Sequence, residues 1–506
     1  MSFKINLCTI LLFSCAWLMN AQSKKLEGLT SFKLQNSGTM MDKNNNVDGY
    51  YFFYEVDKLK KGKREYALKF LDNNLNEVAT KSIVDGKRTF VIDVQFNNQA
   101  LLVTMIDSKE DMFKLISFDR QGNQLDTKTI EYDKYKIVEF MQNQEAMGLH
   151  KMVTAADNKG FIFSELVKNK KYGYRIQYLP TDGGKDWVFA SDPEDKYHYN
   201  IKVLEVNDDM IIAQESSRKS LFNSKGNNSI IAIDINTGKE LWRKTYEKET
   251  EPRYVKNAFL TDENQTVVLG EYFLEGENWY SAKGTGLFTQ TIEADGSVSR
   301  ESKLSWDEGI KPHMPKNAQF EKEKENIFFH DFVRMQDGTF YAIGEKFKKN
   351  FNALGLLSRG AKTKLVITDA MIFKFSPTFE LQHVEVLEKG KSTVASLSDF
   401  GSPQINALAL NAYGAFDFNY TQFNLDRDQF VVSFTDYERL KGEKNKYAFT
   451  AISVEDGEFF KDKIYLENSD RKVSYRVLPA KTGNVTIIEY NNKEESTSIR
   501  LEKLNI

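Results

Sequence analysis

An all-β fold, a β-propeller of four-stranded antiparallel blades, is what the sequence predicts, on three observations. Short apolar or alternating stretches, each closed by one acid, recur along the chain. Turns rich in Asn, Asp and Gly introduce most of them. The composition is 41% hydrophobic and 13% aromatic, with only 8 prolines, which suits strands rich in Phe, Tyr, Val and Ile.

The first segment stands apart from this pattern. Met-Ser-Phe-Lys leads into the apolar INLCTILLFSCAWLM and then NAQSKK, the order of charge, apolar stretch and small-residue cut found in a secretory signal. The expected cut follows Ala21, leaving residues 22–506 as one propeller domain. A second reading takes LFSC, ending at Cys15, as a lipoprotein signal that would leave a lipid anchor at Cys15. Both cysteines, Cys8 and Cys15, lie in this segment, so cleavage after Ala21 leaves no thiol for a disulfide or a Cys-ligated metal. No later stretch reaches the ~18 apolar residues of a membrane helix. The expected location is therefore outside the cytoplasm of a Gram-negative bacterium: periplasmic, outer-membrane-associated or extracellular. A net charge of −3 over 506 residues offers no basic field for phosphate backbones, which argues against nucleic acid.

The repeated stretches are GYYFFYE, QALLVTMID, GFIFSE, DMIIAQE, TVVLGE, TFYAIGE, QFVVSFTD and NVTIIE. Their closing acids are Glu55, Asp107, Glu165, Glu215, Glu271, Glu345, Asp436 and Glu489. A loop and another strand follow each acid, for example YALKFLD, YRIQYLP, SIIAIDI and AMIFKFSP. Units of three or four hairpin-linked strands, about 50 to 90 residues apart, cannot bury both faces alone and pack instead as blades in a ring. Eight second strands predict eight blades, with seven as the alternative. The chain ends at Ile506 just after a third strand, so a segment near LEGLTSFKL must complete the last blade.

The stretch AIDINTGKELW shows the turn chemistry in detail. Asp234 and Asn236 start the turn, Gly238 accepts a left-handed backbone, and Trp242 buries a broad face on the outer strand. Together with Thr237, Lys239 and Glu240, these residues resemble the repeat of the quinoprotein (PQQ-like) and outer-membrane-assembly propellers. The equivalent strands elsewhere carry NQLD, GSVS and FELQ without the tryptophan, so the resemblance implies the turn and not the quinone. More widely, the chain resembles uncharacterised secreted bacterial propeller proteins, which implies a fold and no mechanism.

Catalytic motifs are incomplete. LEKGKST has Glu385 where a phosphate-binding loop needs its first glycine, and GTGLFT has Thr289 where a dinucleotide fingerprint needs its third. DKNNNVDG alternates Asp42, Asn44, Asn46 and Asp48 like a calcium loop, yet it misplaces the glycine and lacks the bidentate acid, so turn chemistry is expected. No HExxH or GxSxG occurs, and nothing calls for a cofactor or metal. His330 and Asp331 form the most suggestive pair, at the start of a blade where side chains reach the channel. The eight acids should line one rim as a belt, each held by backbone N–H groups of the loop that follows or gathering a cation. Trp279 and Tyr280 offer aromatic faces for a sugar.

Three excursions, near 126–151, 299–330 and 385–423, break the rhythm, and INALALNAYGAF in the last is expected to form a short helix over one channel end. The expected function is a secreted, non-enzymatic propeller that binds a protein, peptide or glycan on its loop-rich face. The alternative is a cell-envelope hydrolase or lyase acting on a polysaccharide or peptide with channel carboxylates.

Overall fold

The computed structural model describes residues 23–27, 34–42, 46–131, 152–168, 170–181, 183–219, 226–247, 250, 252–261, 263–277, 282–316, 319–320, 325–352, 362–396, 403–412, 414–424, 426–438, 446–466 and 472–505. The two cysteines, the expected leader and its cut, Trp279, Tyr280 and residues 132–151 lie outside them.

Apolar alternation and short turns make every unit a meander whose strands pair in chain order. Eight such blades form the ring: residues 34–86, 89–131, 153–190, 198–246, 253–305, 325–395, 418–466, and 473–503 with 23–27. In the eighth blade Ser23–Glu27 pairs antiparallel with Ser496–Lys503 as the outer strand. The chain's beginning thus completes its last blade, with a segment slightly earlier than the sequence predicts. Among the described residues blade 6 alone has a fifth strand, Ser392–Ala395, added beside Thr363–Phe375.

The core sits between blades. One buried cluster joins Phe53, Tyr66 and Phe70 of blade 1 to Val103 and Phe118 of blade 2. Others run through blades 2 to 4, then from 4 to 5, 5 to 6, 6 to 7 and 7 to 8. The last joins Tyr50 and Phe52 to Ile488 and Ile499, returning from blade 8 to blade 1. There the Thr486 hydroxyl donates to Tyr50 Oη at 2.6 Å. Each sheet thereby buries both faces on its neighbours.

The ring has two unlike ends. One carries short turns capped by side chains. Asp234 Oδ1 accepts the N–H groups of Asn236 and Thr237 at 3.0 and 2.7 Å, and Gly238 has φ 68°. A Cβ at Gly238 would stand 2.5 Å from the Trp187 ring, so the position needs glycine for space as well as conformation. Trp242 is buried, as expected. Asp42 closes its own turn in the same way, accepting the Asn46 N–H at 2.8 Å. The other end collects the loops after second strands and every connection from an outer strand to the next blade's first strand. The described parts of the excursions near 299–330 and 385–423 belong to such connections and emerge on this face, while 132–151 lie outside the described residues.

Candidate functional site

The eight acids lie on the second strands toward this loop-rich end. Among the described side chains each meets a cation. Glu55 pairs with Arg64, and Glu165 with Arg175, the residue directly opposite it on the third strand. Asp107 lies 3.3 Å from Lys114, Glu489 3.8 Å from Arg500, Glu215 2.5 Å from Arg243 and Glu271 3.2 Å from Lys256. Asp436 occupies the equivalent backbone position, opposite Ala448.

The expected anionic belt is therefore neutralised blade by blade. The expectation that following loops hold the carboxylates is met by Asp107, whose Oδ1 accepts the Lys109 and Glu110 N–H groups at 2.9 and 3.2 Å. Asp107 ends its strand, whereas the strands of Glu55, Glu165 and Glu215 run three residues farther and carry the loop N–H groups away. At Asp107 burial works to raise the carboxyl, and those N–H groups with Lys114 outweigh it, lowering it below its ordinary value. At Glu165 burial wins over Arg175 and Gln177 and raises it.

Two partners are aimed by β-bulges. The first strands of blades 1, 2, 4, 5, 6 and 7 each carry one extra residue at a register shift, Gln35, Ile92, Leu204, Lys256, His330 and Asn419 in turn. A bulged residue is turned relative to its neighbours. In blade 5 it delivers Lys256 to Glu271, and in blade 6 His330 to Glu345.

Glu345, 0% exposed, is the most enclosed of the acids whose side chains are described. Its Oε2 lies 2.9 Å from His330 Nε2 and accepts the N–H groups of Asp417 and Phe418 at 3.1 and 3.0 Å. Lys389 approaches Oε1 at 2.8 Å and also binds Asp417. The His330 ring stacks on Phe418 at 4.7 Å. Burial alone would raise Glu345, but Lys389 and His330 overcome it and hold the carboxyl low; Asp417, also buried, stays raised. His330 thus serves a buried carboxylate of its own blade. Asp331 turns the other way, accepting the Phe332 N–H at 2.8 Å, and burial pushes it up to about 6.

Between blades 5 and 6 the loop-rich face opens into a groove. Tyr254, Lys256 and Glu271 of blade 5 line it with Lys283 and Gly284 from the following loop. Trp306, Lys311 and Phe320 of the 299–330 excursion form a second side, and Asn326, Phe328 and Phe347 of blade 6 a third. The helix α1 (Pro403–Ala412) adds Gln404 and Leu408. This helix was expected over a channel end. It packs instead on blade 6, where Ala407 and Leu410 meet Phe328, Phe347, Leu365 and Ile367, because the long strands Phe340–Phe351 and Thr363–Phe375 present an apolar face there. Of the described candidate residues read from the sequence, Glu271 alone lines this groove. Lys283, Lys311 and Phe320 sit in connections and Lys256 at a strand bulge, with no motif to mark any of them.

The structure is similar to the WD40 domain of SCAP from fission yeast, with TM-score 0.39 and 8% identity over 95% of this chain and 94% of that one. It is also similar to prolyl oligopeptidase B from Galerina marginata, with TM-score 0.40 and 10% identity over 94% of this chain and 56% of that one, so it spans about half that enzyme's length. The uncharacterized protein lmo1340 from Listeria monocytogenes EGD-e gives TM-score 0.36 and 10% identity over 94% and 95%. No curated protein matches the sequence. A family model matches residues 1–505, and the chain belongs to that family, a family of unknown function (DUF6770).

Proposed function

We propose that this eight-bladed propeller is an exported, non-enzymatic interaction protein that takes a protein, peptide or glycan ligand on its loop-rich face, at the groove between blades 5 and 6. The observation that carries the reading is the groove itself, walled by rigid blade strands and by two of the three excursions. A hydrolase or lyase using paired carboxylates needs two acids facing one pocket with their charges available. Each second-strand acid whose side chain is described has a cation beside it instead. Export rests on the leader-like first segment, with cleavage after Ala21 or lipidation at Cys15 as its two forms.

The test is a peptide and glycan array probed with purified protein. Binding that Phe320→Ala weakens, while Lys481→Ala on the tight-turn end leaves it unchanged, is the expected result. Turnover of an array member, abolished by Asp331→Asn, would establish the enzymatic alternative instead.

A further inference from the structure

We infer that Glu345, His330, Lys389 and Asp417 form a pH-sensitive latch that holds helix α1, and with it one part of the groove wall, against blade 6. Lys389 stands just after Leu381–Leu387, the outer strand of blade 6, and Asp417 just before Phe418–Phe423, the first strand of blade 7. The helix lies between them in the chain. Both ends of this connection meet on one buried carboxylate. Lys389 approaches Glu345 Oε1 at 2.8 Å, and the N–H groups of Asp417 and Phe418 donate to Oε2. Lys389 also binds Asp417, and the Ser392 hydroxyl lies 3.0 Å from each Asp417 oxygen.

Water screens these charges little, since the side chains of Glu345, His330 and Lys389 are at most 3% exposed and that of Asp417 is 12% exposed. With a neutral imidazole the four groups hold two negative charges and one positive, and one added proton balances them. Two carboxylates sharing a site resist ionising together, and the proton they keep belongs to the cluster rather than to either acid. Burial first, and Glu345 after it, push Asp417 up to about 6 against the pull of Lys389 and Ser392. The stability contributed by a group raised in this way is fully present below its unfolded value and lost as pH rises through the folded one. Glu345, held well below its ordinary value, stays ionised throughout. Above pH 6 the two acids therefore repel across the very contacts that fix both ends of the connection, and the helix loosens.

Among the described residues the surroundings of the four groups are otherwise neutral. The helix, PQINALALNA, bears no charged side chain, so it has no titration of its own. The third strand of blade 6 places Ala370 opposite Glu345. Blade 7 presents the Phe418 ring to His330 and the Thr435 N–H to the Asp417 carbonyl, at 2.7 Å. Asp331, next to His330, turns away to the Phe332 N–H.

The test is hydrogen exchange at pH 5 and pH 8, corrected for the intrinsic pH dependence of amide exchange, and it needs no ligand for the groove. Protection across 403–412 should fall about tenfold from pH 5 to pH 8, while blades 1 to 3 change little. Asp417→Asn copies the protonated acid and should keep the pH 5 protection at both values. Lys389→Gln leaves the two acids facing each other without the ammonium and should widen the difference. Equal protection of 403–412 at both pH values in the native chain, or a pH effect that survives Asp417→Asn, would overturn the latch. A fall shared equally by blades 1 to 3 would overturn it too, because the whole ring and not the helix would then be titrating.

Discussion

At the scale of single residues, the rim is a set of cross-strand ion pairs. Glu165 and Arg175 show what such a pair does, since the carboxylate side chain is 1% exposed and the guanidinium 36%. Removing the cation leaves a buried charge, so Arg175→Ala should cost about 2 kcal/mol at neutral pH, below the range for a fully enclosed pair because water already reaches the arginine. The loss should shrink in acid. Burial already holds Glu165 above its unfolded value. A protonated Glu165 needs no counter-ion, and its contribution is fully present below the unfolded value and lost as pH rises through the folded one. Thermal melts at pH 5 and pH 8 check this; a loss equal at both would refute it. These acids were legible in the sequence as a repeating phase. Their partners were not, because Arg64, Lys114, Arg175 and Arg500 stand on the next strand, and only the pairing register brings them opposite or diagonal.

At the scale of elements, what could be read and what could not divides by range. Turns announce themselves locally. Asp234, Asn236 and Gly238 do in three dimensions what their types imply in one. Bulges do not: His330, Lys256 and Ile92 share a structural position and no chemistry, so no pattern marks them. The helix α1 lies between these cases, since its apolar spacing was visible but its partner was not. Its seat on blade 6 predicts that Leu410→Ala costs about 3 kcal/mol, expressed mostly as local opening. Hydrogen exchange should then rise across 403–412 and little in blades 1 to 3. Uniform loss of protection through all eight blades would mean that the helix supports the ring and is not merely attached to it.

At the scale of the whole molecule, the interblade clusters make a closed circuit of apolar contacts, and Ser23–Glu27 completes the eighth blade beside Ser496–Lys503. Deleting residues 23–27 exposes Ser496–Lys503 as an edge strand. Faster aggregation and a lower melting temperature are the expected outcomes, read by light scattering and calorimetry; an unchanged melt would mean that the ring closes without the strand. The same feature governs how the chain reaches its native state. Sequence neighbours can zip into individual sheets as they are synthesised, but the fastening step joins residues separated by nearly the entire polypeptide. Such distant partners meet slowly, and every blade made before them waits with adhesive surface uncovered. A folding chaperone's window for this protein therefore closes only when its final strand has been delivered.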